Sequence, residues 1–225
     1  MRIIRSVVAA LALGAGFGAV TSFVNDVSSP YGEAGGRLVN AGWAWVTEVA
    51  GVASLLLDAG WAWAALAVAA GWLAGALARG AVAGAVALAA ATAAYYCMDS
   101  LLREEPLVSY REETLYWWLA SLVLGPVLGV VGARAGRPGT IGLLAKLTVP
   151  VGAIVQMIFL PPGFGLTVRP AAVWALVIVW GAAAAGIGVV VTRFAAERRV
   201  RPVPAPLPQS ALESHGSSRL PGRAG

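Results

Sequence analysis

Apolar residues in this chain come in blocks, not stripes. Residues 3–24, 59–78, 80–98, 114–133, 140–160 and 170–192 form six runs of about twenty residues, apolar on every side. About 20 such residues, rising 1.5 Å each as a helix, cover a bilayer's hydrocarbon core of roughly 30 Å. Lipid accepts apolar side chains all round a helix, provided its backbone is bonded internally. The runs lack the alternation of barrel strands. The pattern predicts an all-α, polytopic transmembrane helix bundle over residues 1–192, with the lipid bilayer as its solvent.

A seventh apolar stretch, residues 41–57, is predicted to lie in the membrane interface or to be re-entrant. Counting it as a span would put Arg2 and Arg5 on the opposite side from the C-terminal tail. The pentapeptide Ala41-Gly42-Trp43-Ala44-Trp45 also recurs as Ala59-Gly60-Trp61-Ala62-Trp63. Tryptophan favours the headgroup level, so both copies belong at one surface. Pairs of small residues four apart, such as Gly14 with Gly18 and Gly125 with Gly129, predict close helix packing. Pro126 and Pro150 fall inside spans.

Basic residues then set the orientation. Arg2, Arg5, Arg79, Arg134, Arg137, Lys146, Arg193, Arg198, Arg199 and Arg201 all fall on one side of a six-span chain. By the positive-inside rule that side, with both termini, is cytoplasmic in the cell membrane. Reporter fusions after Arg79, Arg137 and Arg201 are expected to score cytoplasmic, and a fusion near Glu105 exterior. An exterior C-terminus would refute the even count. The first span also has the basic start and apolar core of a signal peptide; its length and glycines favour a retained helix.

Residues 193–225 differ. Pro202, Pro204, Pro206 and Pro208 alternate, then Ser, Gly and Arg follow. Such a segment has no apolar face to bury and reads as a disordered cytoplasmic tail.

Composition narrows the function. The chain is 59% hydrophobic and 12% charged, with a net charge of +5. No basic stripe marks a folded face, which argues against nucleic acid as a partner. One cysteine, Cys97, and one histidine, His215 in the tail, exclude an intramolecular disulfide, a CxxC centre, a serine triad and a zinc site of several Cys and His ligands. No Walker or Rossmann glycine loop is present. The expectation is therefore no cofactor, no metal and no catalytic residue.

Polar groups in apolar runs are costly, and so mark candidate sites. Glu48 lies between valines and alanines, able to take a proton or a cationic ligand; Asp58 ends the same segment. Asn25, with Thr21 and Ser22, ends the first span, and Asn40 opens the interfacial piece. With Tyr95, Tyr96 and Asp99 they are placed to line one outward-facing pocket. Gln156 is the main polar group deep in the fifth span. Interhelical bonds and interface anchoring are the plainer reading of each.

Several motifs together resemble a family of small six-pass membrane proteins of unknown function, found mainly in actinobacteria. They are Gly-x-x-x-Gly with Thr-Ser at 14–22, Leu38-Val39-Asn40, Tyr95-Tyr96, and Gly125-Pro126 followed by Gly129. The resemblance implies the fold and no activity. Where it would place a glutamate in the fifth span, this chain has Gln156. The functional expectation is a transporter-like or small-molecule-binding membrane component, with a homo-oligomer or a partner membrane subunit as possible company. The alternatives are a cyclase-like membrane enzyme using an isolated carboxylate, and a structural or accessory protein.

Overall fold

The computed structural model describes residues 2–162 and 170–200. The predicted tail beyond residue 200, with His215, lies outside the described residues. The elements are α1 (Arg2–Ser28), α2 (Glu33–Asn40), α3 (Ala44–Leu57), α4 (Gly60–Ala74), α5 (Leu77–Arg103), a 3-10 turn (Leu107–Tyr110), α6 (Arg111–Ala135), α7 (Thr140–Phe159) and α8 (Pro170–Val200). Five of them (α1, α5, α6, α7 and α8) are long and apolar enough to cross a membrane; the bent pair α3 and α4, taken as one span, makes six. The fold is an all-α helix bundle that fits a membrane protein.

Its interior inverts that of a water-soluble domain. The buried apolar residues are mostly alanines, including Ala10, Ala67, Ala87 and Ala91, and the largest fully buried side chains are Thr21, Thr92 and Ser22. Large side chains such as Leu119, Leu122, Val123, Val127 and Trp174 point outward. Lipid gives a leucine no reason to hide, whereas small residues let backbones touch.

The glycine pairs do this. Gly14 and Gly18 of α1 sit on the Ala87 and Ala91 carbonyls of α5, so these helices run parallel. Gly80 and Gly84 face Gly129 and Gly125, so α5 and α6 run antiparallel. Gly71 of α4 meets Gly129 as well. The register brings the start of α1, Arg79 and Arg134 to one end. Arg137, Lys146 and Arg193 line one groove there, and this is the basic end. At the acidic end, Asp26, Glu33, Glu104 and Glu105 line another.

Helix ends differ from the predicted spans in several places. Gly75 takes a left-handed conformation (φ 68°) and its N–H bonds back to Gly71 and Trp72, closing α4 at Ala74. This is the geometry glycine alone adopts without strain. Arg79 therefore lies in the first turn of α5, not in the connecting turn. α4 is only 15 residues, about 22 Å. α1 runs on to Ser28, and α8 continues through Arg193, Arg198 and Arg199 to Val200, so the first residues assigned to the tail are helical.

Residues 41–57 do form a separate helix, α3, joined to α4 at a 62° bend. No residue of α3 is buried. It crosses the acidic end of the bundle: Gly51 approaches Ala171 at the start of α8, and Ser54 reaches Asn25 in the last turn of α1. The repeated pentapeptide straddles the start of each helix, but the copies part company. Trp43 and Trp45 are exposed, whereas Trp61 packs against the buried cluster of Ala153, Met157 and Val179, and Trp63 packs edge-on against Phe17.

Asp26 has a structural role. Its buried carboxylate accepts the backbone N–H groups of Glu33 (3.0 Å) and Ala34 (2.8 Å). It caps α2 from seven residues upstream, supplying acceptors that the first helical turn lacks.

Candidate functional site

The break between α3 and α4 is where the polar chemistry gathers. A bent helix exposes backbone N–H groups at its new start. Gln156 of α7 meets one of them: its Oε1 accepts the Trp61 N–H at 2.9 Å. Gly60 leaves the room, since a Cβ there would come within 3.3 Å of that oxygen. Gln156 is thus a cap supplied by another helix. Replacing it with leucine leaves a partly buried donor unpaired, a cost of about 1–3 kcal/mol. Glutamate should retain most of the stability, because a carboxylate also accepts and suits a helix N-terminus. Thermal unfolding of the two variants in detergent checks this; equal losses would contradict it.

Asn25 is the hub. From the last turn of α1 its Nδ2 donates to Asp58 Oδ2 at 2.8 Å and to Tyr95 Oη at 3.1 Å, while its Oδ1 accepts from Ser54 Oγ at 2.6 Å. The carboxamide therefore ties α1, α3, the α3–α4 break and α5 together. The amide orientation follows from chemistry: turned over, its oxygen would face a carboxylate.

Asp58 and Tyr95 also border a cleft of about 500 Å3 between α4, α5 and α6. Trp63, Tyr96 and Trp117 give it aromatic walls, and Leu88, Leu124 and Leu128 line it further along the helices. The rings form a chain: Trp63 to Tyr95 at 6.4 Å between centroids, Tyr95 to Tyr96 at 5.2 Å, Tyr96 to Tyr110 at 5.4 Å. The ion pairs among the described residues, Arg37 with Glu33 and Arg103 with Asp99, leave Asp58 without a cation. A carboxylate with one neutral donor, at the rim of an aromatic and aliphatic cleft, can attract a cationic or strongly hydrogen-bonding group.

Three of the predicted site residues, Asp58, Tyr95 and Tyr96, line the cleft, and Asn25 holds two of them. The others lie elsewhere. Glu48 is exposed on α3. Asn40 is exposed at the end of α2. Asp99 is buried but paired, its Oδ1 accepting from Arg103 Nε at 3.0 Å. Thr21 and Ser22 are buried on α1, and the Thr21 hydroxyl donates to its own helix at the Phe17 carbonyl. Sequence reasoning passed over Ser54, the hydroxyl inside an apolar run, and Trp117, and it read Trp63 as an interface anchor.

No family model matches this chain, and no match was found among curated proteins or solved structures.

Proposed function

We propose that this protein is a small-molecule-binding component of the cell membrane, transporter-like in kind, whose ligand has an apolar body and a positively charged or hydrogen-bond-donating end. One observation carries the reading: the Asp58 carboxylate, free of any basic partner among the described residues, stands at the rim of the aromatic-walled cleft. The apolar body fits against Leu88, Leu124 and Leu128. The charged end meets Asp58, and the ring faces of Trp63 and Trp117 favour a cation further. Ligand sites are commonly of this kind, mostly apolar with a few placed polar groups. In the orientation argued from charge, the basic end is cytoplasmic and the cleft opens toward the exterior half of the membrane.

The test is a pair of probes with the same tail. Octyltrimethylammonium should change the tryptophan fluorescence of the detergent-purified chain saturably. Octanol should do so only at much higher concentration. Equal responses to both would remove the role given to Asp58.

A further inference from the structure

The opposite end of the molecule holds a second built feature. α7 and α8 frame a groove of about 100 Å3 at the basic end. Its rim carries Arg137 from the α6–α7 turn, Lys146 from α7 and Arg193 from α8, with Glu197 as its carboxylate. Three positive charges against one negative leave an excess of two. Neither ion pair among the described residues involves any of the four. Leu143 and Phe194 supply an apolar wall. The wall continues along outward-facing side chains of both helices, with Leu144 67% and Val189 51% exposed.

We infer that this groove binds the phosphodiester of an anionic phospholipid, whose acyl chains lie along the exposed faces of α7 and α8. The charge excess selects an anion, and the guanidinium groups suit phosphate oxygens in particular. The start of α7 at Gly139 also lines the groove and adds the positive pole of a 20-residue helix. The space is too small for more than the phosphate region, so the rest of the ligand must lie outside. What is outside is apolar surface on helices long enough to cross a membrane, which fits acyl chains. Basic clusters beside membrane helices act on anionic lipid in this way, at about 1 kcal/mol per residue.

The experiment is a lipid titration of the purified full-length chain in a neutral maltoside detergent, read by native mass spectrometry. Phosphatidylglycerol should be retained at least tenfold more tightly than phosphatidylcholine. Arg193→Gln and Lys146→Gln should each weaken phosphatidylglycerol about fivefold, the factor that ~1 kcal/mol gives, and leave phosphatidylcholine unchanged. Glu197→Gln should tighten phosphatidylglycerol, a gain that misfolding cannot imitate. Arg199→Gln, on the same helix but off the groove, should change little. Three results would overturn the inference. One is equal retention of the two lipids. Another is an Arg199→Gln loss as large as that of Arg193→Gln, which would mean diffuse surface attraction. The third is full displacement by millimolar inorganic phosphate, which would make the site one for soluble anions.

Discussion

Changing Gly129 to valine should strongly destabilise the bundle and cut the yield of folded protein. A Cβ at this position would run into the Gly80 carbonyl of α5 and lie 3.2 Å from the Gly84 Cα. Gly71 of α4 presses on the same residue, so three helices meet there through bare backbone. Extra volume in a packed core usually costs about 1–3 kcal/mol, because side chains shift to make room. Here the obstacles are main-chain atoms that are themselves bonded into helices and cannot yield, so the cost should exceed about 3 kcal/mol. Set against typical stabilities of about 5–15 kcal/mol, that is a large share. Yield of monodisperse protein and thermal unfolding measure it. Gly152→Val is the control, since nothing lies within 4 Å of a Cβ at that site. A Gly129→Val protein melting within a few degrees of the parent would show that the seam is looser than described.

The second large effect belongs to Asp58. Exchanging it for asparagine keeps an oxygen that can accept the Asn25 N–H at the observed 2.8 Å, so the junction of α1, α3 and α5 should hold. What disappears is the negative charge at the cleft. Octyltrimethylammonium affinity should fall about 30-fold, near 2 kcal/mol at about 1.4 kcal/mol per factor of ten. Octanol affinity should stay the same. Glu48→Gln, which removes an exposed carboxylate on α3, should leave both probes unaffected. If Glu48→Gln matched the loss at Asp58, the attraction would be a property of the acidic end as a whole and not of one site.

The spans were legible in the sequence because block hydrophobicity is a local property, written in consecutive residues. That residues 41–57 stand apart from the run that follows could also be read, and they form a helix of their own. The break at Gly75 could not. Gly71 and Gly75 look like any small pair four apart, and only the backbone shows that one packs on Gly129 while the other ends the helix. The site was half legible for a related reason. A polar residue in an apolar run announces itself, which picked out Asn25, Asp58, Tyr95 and Gln156. Which of them meet depends on partners far along the chain: Asn25 and Tyr95 are 70 residues apart, Trp61 and Gln156 are 95. Glu48 and Asp99 stood out just as strongly, yet one faces outward and the other is neutralised by Arg103 one turn away.

The Asn25 carboxamide carries a thermodynamic consequence. Its N–H occupies the Asp58 carboxylate that a cation in the cleft would also contact, and its carbonyl oxygen anchors Ser54 of α3. Occupancy of the cleft and the posture of α3 are then coupled variables, and linkage requires the influence to run equally in both directions. For a cation bound at Asp58, a loosened α3 would change its affinity by the same factor as its binding would change the docking of α3.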